Sequence, residues 1–443
     1  MSPFDNSHLT ALTDLINSAV QDIIAEYAAV GWAVPSLDSL EPGPFDVPEE
    51  TPAKLSRAVQ IIEAACAQLA HTVASPGHIV LNKAFQHEDP ACLLVVTEAK
   101  IADRLVDRPN GVHVDELAKS SGLDASKLER ILRVLATKHC FREVKPGVFA
   151  NNRLSLKLLS TDAISSTVSM LADETMLASA YLNETMTKPS AKDNGIPFQR
   201  ATGHAVFDYY NMPEGKEHGE RFSRAMVGWC DVAGKGLVAK VYPWASAPAD
   251  SVICDIGGGN GHVTMGLIKV HPHLRVVLQD QAEAVEQARE FWGKNHSEAL
   301  REKRVEFVPF DFFKAAAVEG CEFYYISNTL HDWPDAESIT ILRNVRKAMK
   351  PSSKLIIDGY IVRSSAQDPS SQEEKFDYAP EPLLPNWGAA RIRTYHLDVL
   401  LMNLCNGQAR SASQYVELCK QCDLKFNKLY LAGETDLLEF VPV

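Results

Sequence analysis

A glycine-rich run is the clearest chemical signal in the sequence. The stretch Asp255-Ile256-Gly257-Gly258-Gly259-Asn260-Gly261 follows an apolar segment and precedes a helical one. Glycines allow positive φ angles and let a ligand approach backbone amides near a helix N-terminus. Dinucleotide-binding loops carry Gly or Ala where His262 stands, because the helix must pass close to a pyrophosphate. The loop, with Asp255 at its start, therefore predicts a ligand without a pyrophosphate.

Acidic residues stand at the ends of the next two apolar runs. Asp280, followed by Gln281, ends the second run, and Asp311-Phe312 comes just after the third. A carboxylate at the first position can accept hydrogen bonds from both hydroxyls of a ribose. An acid beside an aromatic ring can hold an adenine by hydrogen bonding and stacking. We therefore expect Asp255, Asp280, Gln281, Asp311 and Phe312 to bind a cofactor.

His331 is the candidate base. It follows the fourth apolar run and precedes a predicted helix over 336–349, for which Asp332 and Asp335 are candidate caps. A neutral imidazole with a pKa near ~6.5 suits removal of a hydroxyl proton at neutral pH. Asp358 ends the fifth run, the neighbour in sheet order, and is predicted to hold the imidazole in one tautomer. The catalytic candidates are therefore His331, Asp358 and Asp332.

The elements that position these residues form an α/β domain. Short apolar runs alternate with helical stretches after Pro248, and the connections between the first five are long enough for helical crossovers. This pattern predicts a Rossmann-like, doubly wound parallel sheet whose last two strands are antiparallel. The predicted strands are 251–255, 274–279, 304–309, 322–327, 354–358, 425–431 and 437–441. Residues 364–394 interrupt the pattern as an insertion that could cover the site.

The N-terminal part is predicted to be helical. Apolar residues at three- and four-residue spacing indicate an amphipathic helix over 6–30, and a second helix covers 52–72. Residues 90–150 show helix, helix, turn, helix and a β-wing, a winged-helix arrangement. Residues 91–160 hold 12 Lys and Arg against 8 Asp and Glu, with no basic stripe. The charge distribution therefore favours a structural or dimer-forming domain. A DNA-binding regulator is the other class of protein that uses a winged helix.

Three regions are predicted along the chain. They are a helical and winged-helix dimerisation domain (1–160), a helical linker and substrate-pocket segment (161–247), and the Rossmann-like catalytic domain (248–443). Flexible methionine and flat aromatic side chains in the middle segment suit a pocket for planar apolar molecules. The substrate-binding candidates are Met176, Phe207, Met226, Trp229, Asp398 and Met402.

Composition narrows the class of protein. The chain has 443 residues, too many for one core, and a net charge of −13, which argues against binding to nucleic acid or an anionic membrane. It contains no 18-residue apolar run and no N-terminal signal-peptide pattern. Nine scattered cysteines indicate a reduced protein, and we expect it in the cytoplasm. Cys419 and Cys422 are expected to pack in the core, and no carboxylate cluster requires a metal.

Four motifs together give a family resemblance. Residues 90–443 resemble the class I small-molecule O-methyltransferases of the caffeate and hydroxyindole type, which join a winged-helix dimerisation domain to an S-adenosylmethionine domain. The matching stretches are Asp255–Gly261, Leu274–Asp280, Leu330–Trp333, and Asp398–Asn403 followed by Asn406–Ser411. The insertion at 380–388 looks like that of fungal members. The resemblance implies a homodimer that uses S-adenosylmethionine to methylate a hydroxyl of a small aromatic or polyketide-like secondary metabolite.

The resemblance also implies residue roles. Gly257, Gly259 and Asp280 would hold the cofactor, and His331 would be the base. Asp311 and Phe312 would flank the adenine, and Asp358 would take the place of the family's acidic partner of the histidine.

Two positions depart from the family pattern. Ser327, a further candidate cofactor residue, stands where the family often has a basic residue that touches the cofactor. Ala409 replaces a second acidic partner of the histidine. Some relatives keep the cofactor and catalyse dehydration or ring closure instead. A cofactor-retaining cyclase, pericyclase or dehydratase therefore stays open as the alternative function.

Overall fold

Two long helices begin the chain. In the computed structural model, which describes residues 5–190, 193–366 and 378–443, α1 (Ser7–Ala29) and α2 (Ala53–Val73) pack against each other. Leu12 of α1 and Ala65 of α2 are fully buried in one cluster. This confirms the helices predicted at 6–30 and 52–72. A short helix, α3 (Pro76–Phe85), follows them.

A winged-helix module comes next. Its core holds apolar residues from every helix and from two of the three strands, including Val96, Val112, Leu117, Leu132 and Phe149. The strands pair antiparallel in the order β1-β3-β2, which confirms the predicted wing. The elements are α4 (Glu88–Glu98), α5 (Ile101–Arg104), β1 (Val112–His113), α6 (Val114–Ser121), α7 (Ala125–Thr137), β2 (Arg142–Lys145) and β3 (Val148–Ala150).

A run of helices connects the wing to the sheet. The longest of these helices ends at Val232. A 3-10 helix, Lys235–Leu237, follows it after Gly234, which has a φ of +69°. In the described residues they are α8 (Ala163–Met170), α9 (Met176–Ala180), α10 (Leu182–Thr187), α11 (Pro197–Thr202), α12 (Val206–Asn211), α13 (Lys216–Val232) and α14 (Val238–Val241). A π-helical stretch, Leu171–Thr175, lies between α8 and α9.

A seven-stranded sheet dominates the C-terminal part. Its order is β6-β5-β4-β7-β8-β10-β9, with parallel pairing from β6 to β8 and antiparallel pairing of the last two strands. The strands are β4 (Val252–Ile256), β5 (Arg275–Asp280), β6 (Val305–Pro309), β7 (Phe323–Ser327), β8 (Lys354–Gly359), β9 (Leu424–Ala432) and β10 (Thr435–Pro442). The predicted doubly wound sheet is therefore confirmed.

Helices complete this α/β fold. Their crossovers bring the carboxyl ends of β4, β5, β6, β7 and β8 to one edge, where folds of this type bind ligands. The helices are α15 (His262–Val270), α16 (Ala282–Asn295), α17 (Ser297–Arg301), α18 (Asp335–Ala348), α19 (Ile392–Cys405) and α20 (Ala412–Lys420). Cys419 and Cys422 are both buried with free thiols.

The chain forms two compact units, and the division into three functional regions stays a prediction. The first unit contains residues 1–176, 224–229 and 363–393, and the second contains 177–223, 230–362 and 394–443. The predicted substrate-pocket segment 161–247 is therefore divided between the units. Such a division cannot be read from composition, because it arises from contacts between residues far apart in the sequence.

The insertion at 364–394 belongs mainly to the first unit. Ala379, Leu383 and Trp387 are buried in the same cluster as Leu12 of α1. The Gln68 side chain of α2 donates a 2.8 Å hydrogen bond to the Pro382 carbonyl. The described end of the insertion therefore packs on the N-terminal helices. Its predicted role as a cover for the site remains a prediction, and residues 367–377 lie outside the described residues.

No helix in the described parts of the chain is long and apolar enough to cross a membrane.

Candidate active site

The glycine-rich loop leaves β4 and enters α15. Gly257, Gly259 and Gly261 have φ angles of +66°, +57° and +71°. A Cβ at Gly257 would lie 2.8 Å from Thr329 Oγ1, and one at Gly261 would lie 2.3 Å from Leu278 Cδ1. No described atom lies within 4 Å of a Cβ built at Gly259. Two of the glycines are therefore required by packing, whereas the space beside Gly259 is open.

Asp255 supports this loop from inside the fold. It is 3 % exposed, and its Oδ2 accepts a 2.7 Å hydrogen bond from the Thr264 hydroxyl. A Cβ at Gly258 would lie 2.6 Å from the Asp255 carboxyl group. Burial raises the pKa of Asp255 to about 7. The structure thus places this residue under the loop, and its predicted contact with the cofactor remains a prediction.

Asp280 connects the end of β5 to the loop. Its Oδ2 accepts from the Gly259 amide at 2.8 Å, and its Oδ1 accepts from the Gln281 amide at 2.7 Å. Burial raises the pKa of this carboxyl group. Each oxygen keeps a second lone pair, so the group can still receive ribose hydroxyls. The structure therefore brings together Gly259, Asp280 and Gln281, three of the residues predicted to bind the cofactor.

Replacement of Asp280 by alanine is expected to weaken cofactor binding at least tenfold. The variant loses two charge-assisted hydrogen bonds to ribose, each worth about 1.5–3 kcal/mol, and it frees the Gly259 amide. Titration calorimetry with S-adenosylmethionine measures the effect. Glu283→Ala, on the first turn of α16, is the matched control and should bind as the wild type does. Unchanged affinity in Asp280→Ala would move the cofactor site elsewhere.

The pair Asp311-Phe312 follows β6. Asp311 forms a 2.8 Å ion pair with Lys314, which lowers the pKa of Asp311, and it accepts from the Phe313 amide. The Phe312 ring makes edge contacts with Phe313 and Trp333. The ring therefore lies beside the turn that carries His331, while the carboxylate is engaged by a surface lysine. Their predicted contacts with adenine remain predictions.

His331 lies in a 3-10 turn, Leu330–Asp332, just beyond β7. The Arg410 guanidinium is fully buried and donates to the Leu330 and Trp333 carbonyls, both at 2.7 Å. The Gln408 amide donates to the His331 carbonyl at 2.8 Å. The late sequence motif around residue 410 therefore fixes the backbone on both sides of the histidine.

The His331 imidazole is held in its neutral form. It is 8 % exposed, and burial, followed by the charges of Lys235 and Arg410, lowers its pKa to about 3. Its Nε2 lies 3.6 Å from Asp332 Oδ1, and burial raises the pKa of Asp332 to about 8. Burial thus favours the uncharged form of both groups. A neutral imidazole has the lone pair that accepts a proton, while a lowered pKa makes it a weaker base.

The expected pairing of Asp358 with His331 is not what the structure shows. Asp358 Oδ1 forms a 2.6 Å ion pair with Lys235, and its Oδ2 accepts from the Tyr325 hydroxyl and, at 3.4 Å, from Ser327. A carboxylate with 2 % exposure needs such a cation, because an unpaired buried charge is costly. The carboxyl group beside His331 is instead that of its chain neighbour, Asp332.

The expected helix cap at Asp332 is also wrong. α18 begins at Asp335 after Pro334 and has no side-chain cap, and Asp332 remains in the preceding turn. Asp335 instead forms a 2.8 Å ion pair with Arg410. Sequence reasoning missed the roles of Lys235 and Arg410. Arg410 lies in one of the family motifs, but its place there does not reveal what it contacts. Lys235 belongs to no recognised motif.

Some of the substrate-binding candidates lie near this turn. The Phe207 ring of α12 stacks against Trp333 with centroids 6.4 Å apart and contacts Phe222 edge-on. Asp398 Oδ1 accepts a 2.8 Å hydrogen bond from the Ala409 amide, and Met402 is half-buried in α19. Met176, Met226 and Trp229 belong to the first unit. The role of all six in substrate binding remains a prediction.

The fold and the site define a class. A sheet of five parallel and two antiparallel strands in this order, a glycine-rich loop braced by an acid at the end of the second parallel strand, and a buried histidine agree with the S-adenosylmethionine-dependent methyltransferases that the sequence resembles. Among the described residues, no group of three or more His, Cys, Asp or Glu side chains is arranged to hold a metal ion.

Comparison with known proteins specifies the family. Residues 180–424 match the O-methyltransferase domain, and residues 82–161 match the O-methyltransferase dimerisation domain. The chain is 44 % identical to "3-O-methyltransferase 2" of Phanerochaete chrysosporium, over 98 % of this chain and 97 % of that protein. It belongs to the O-methyltransferase family and uses S-adenosylmethionine as its cofactor.

Solved structures share the fold. Mitomycin 7-O-methyltransferase MmcR has a TM-score of 0.68 at 24 % identity and covers 85 % of this chain and 99 % of its own. NcsB1, an O-methyltransferase from neocarzinostatin biosynthesis, was solved with S-adenosylmethionine and 2-hydroxy-5-methyl naphthoic acid. It has a TM-score of 0.62 at 18 % identity and covers 80 % of this chain and 96 % of its own. All three of these proteins are called O-methyltransferases, and none of their names favours the cyclase alternative.

Proposed function

We propose that this O-methyltransferase methylates a hydroxyl of a small aromatic or polyketide-like secondary metabolite, with His331 as general base. The observation that carries the proposal is the position of the imidazole, next to Asp332 and on a turn fixed by Arg410 at the ligand edge of the sheet.

The cofactor site is proposed at the glycine-rich loop. The bound cofactor supplies an activated methyl group on a sulfonium. Asp280 and the backbone at Gly259 would hold its sugar and amino-acid parts, since these groups border the open space at the loop. The remaining proposed contacts are Asp255, Gly257, Gln281, Asp311, Phe312 and Ser327.

His331 would remove the acceptor proton. In the orientation of the structure its Nε2 faces Asp332, which leaves Nδ1 to take the proton. A phenol with a pKa near ~10 is mostly protonated at pH 7, so a well-placed base accelerates the reaction by roughly 10²–10⁴. The adjacent Asp332 carboxyl group would stabilise the imidazolium in its ionised form, which the new positive charge favours. Asp332 would thus serve as the acidic partner, in place of the carboxylate absent at Ala409.

Aromatic side chains around the turn support an aromatic acceptor. Trp333, two residues after His331, is in contact with the rings of Phe207, Phe312 and Phe313. Flat rings bind planar apolar molecules through stacking and edge contacts. The solved NcsB1 structure contains 2-hydroxy-5-methyl naphthoic acid, a planar aromatic molecule with a hydroxyl group. The full set of proposed substrate contacts is Met176, Phe207, Met226, Trp229, Asp398 and Met402.

Paired acceptors test this proposal. Each phenol is compared with the analogue in which a CH₂ separates the ring from the hydroxyl, because that alcohol is far less acidic while its shape is similar. Methyl transfer is measured with methyl-labelled cofactor. We expect transfer to phenols and none to the paired alcohols. Equal transfer to both members of a pair would contradict the role of an ionisable aromatic hydroxyl.

We also propose that the enzyme is a homodimer. Residues 82–161 match a dimerisation domain, and α3, which overlaps its start, has no buried residue. Val80, Leu81 and Phe85 of α3 are 67 %, 58 % and 59 % exposed. An apolar helix face of this kind is normally covered by another surface. A second copy of the chain would provide that cover.

Charges on α3 are expected to break the dimer. In the variant Val80→Asp/Leu81→Asp, two carboxylates would be buried in the interface without partners, so the variant should sediment as a monomer at micromolar concentration. Val270→Asp places a charge on an exposed valine of α15 and is the control. A wild type that sediments as a monomer would refute the homodimer, and a dimeric α3 variant would refute this interface.

A cytoplasmic location is the remaining proposal. All nine cysteines are free thiols, and three of them, Cys66, Cys92 and Cys140, are exposed or half-buried in the first unit. Thiols of this kind persist in a reducing compartment. Fractionation of cells expressing the tagged protein tests this location.

A further inference from the structure

Lys235 is a buried cation that the methyl-transfer mechanism above does not use. Its side chain is 2 % exposed, and its Nζ lies 2.6 Å from Asp358 Oδ1. The same carboxylate accepts from Tyr325, which is fully buried in β7. The pair is therefore enclosed in the second unit, away from bulk water.

Stability alone is a poor reason for such a pair. Both ions lose their hydration on burial, and apolar replacements of a buried pair are often neutral or stabilising. A fold that needed only packing here would be served equally well by apolar side chains. The charges are therefore expected to serve the neighbouring site.

Asp358 is joined to the segment that leads to His331. Ser327 pairs with Asp358 in the β7–β8 register, and its hydroxyl lies 3.4 Å from Asp358 Oδ2. The Asn328 amide donates to the Asp358 carbonyl at 3.2 Å. Lys235, by fixing the carboxylate, thus acts on the chain three to four residues before the base.

The charge of Lys235 also reaches the site. It contributes to the lowered pKa of His331 and to that of His262, the first residue of α15. His331 lies in the turn after β7, and His262 begins the helix that follows β4. The strand order reverses between these two strands. Lys235 is therefore within electrostatic range of both sides of the ligand edge.

We propose that Lys235 is a positioning residue for methyl transfer, whose ammonium group locks Asp358 so that the Ser327-Asn328 exit from β7 presents His331 to the acceptor. This inference rests on the proposed function, because it concerns the placement of the His331 base. Small displacements of a catalytic group are costly, since productive geometry tolerates only fractions of an ångström. The effect should therefore appear in kcat and not in cofactor affinity.

The test removes both charges of the pair together. In Lys235→Met/Asp358→Asn, no charge is left unpaired, and the introduced amide keeps an acceptor for the Tyr325 hydroxyl. We expect kcat to fall roughly tenfold or more, with KM for both substrates and the unfolding midpoint close to wild type. Lys235→Arg keeps the charge and should retain most of the turnover. Lys420→Met/Glu417→Gln removes an exposed ion pair of α20 and is the matched control.

The outcomes separate this inference from the proposed function. A charge-free variant that keeps wild-type kcat overturns the role of Lys235. If His331→Ala, measured alongside, keeps its turnover, the proposed base itself is wrong, whatever the pair does. If Lys235→Met/Asp358→Asn does not fold, Lys235→Gln/Asp358→Asn replaces it, and the same changes in kcat and KM are expected. If kcat falls in either variant only together with a lowered unfolding midpoint, the pair has a structural role and the proposal is overturned.

Discussion

His331→Ala is expected to lower turnover by roughly 10²–10⁴ while S-adenosylmethionine affinity stays within a few-fold of wild type. The imidazole is buried on the turn after β7, whereas most of the proposed cofactor contacts lie on the loops after β4, β5 and β6. Removing the ring therefore takes away the base and leaves the groups around Gly259 and Asp280 intact. Steady-state kinetics together with calorimetry on the same preparation separates the two effects.

The pH dependence of this variant gives a second check. At higher pH a phenolic acceptor ionises in solution, so turnover by His331→Ala should partly recover as the pH approaches the acceptor pKa. His396→Ala removes an exposed histidine of α19 and should behave as the wild type does. Turnover at the wild-type rate in His331→Ala would remove this residue from the mechanism.

Arg410→Met is expected to cost both stability and turnover. The variant removes the guanidinium donor of the Leu330 and Trp333 carbonyls and breaks the ion pair to Asp335. The buried Ser338 hydroxyl, 3.2 and 3.1 Å from these carbonyls, stays as their other side-chain donor. Ser338 has one hydroxyl proton and can serve one of the two carbonyls, so the other is left unsatisfied, at a cost of about 1–3 kcal/mol of unfolding free energy. The ion pair adds little, because the Asp335 side chain is 62 % exposed. The loosened turn should also lower kcat at least tenfold.

Arg410→Lys tests whether charge or geometry matters. Lysine keeps the charge but lacks the planar guanidinium that reaches three acceptors at once. We therefore expect Arg410→Lys to recover part of the stability and little of the turnover, measured by denaturant titration and by kcat. Wild-type turnover in either variant would show that the His331 turn does not depend on this arginine.

Local patterns predict the sheet and its ligand edge well. β5 is buried along almost its whole length, and such continuous apolar runs are typical of parallel strands covered on both faces. The loop can be recognised from the spacing of the glycines at 257, 259 and 261. Asp280 can be recognised because it ends the next apolar run. The hydrogen bond between the Gly259 amide and Asp280 then joins two of these predicted residues.

Pairings between distant residues cannot be predicted in this way. Adjacent strand ends suggest that Asp358 faces His331, but Lys235, 123 positions away in the sequence, pairs with that carboxylate. The lysine lies in a 3-10 helix without a recognisable motif. Asp332 resembles a helix cap only if α18 follows it directly, whereas Pro334 lies between them. In each case the decisive partner is set by tertiary packing and by the need to compensate a buried charge.

The packing of the insertion at 364–394 also depends on residues far away in the sequence. Its enrichment in Ser, Gln, Pro and Asn suggests a cover for the site. Trp387, fully buried with Arg57 over its ring, joins the described end of the insertion to α2, and the cover for the site stays a prediction. Composition indicates that a segment is irregular but not which surface it contacts.

The central claim is that this chain transfers a methyl group to an aromatic hydroxyl with His331 as the base. The most direct measurement quantifies S-adenosylhomocysteine and methylated product in a single incubation of wild-type enzyme with S-adenosylmethionine and a phenolic acceptor. We expect the two products in equal amounts, and both reduced in parallel in His331→Ala. Conversion of the acceptor without S-adenosylhomocysteine would contradict this function and favour a cofactor-retaining cyclase.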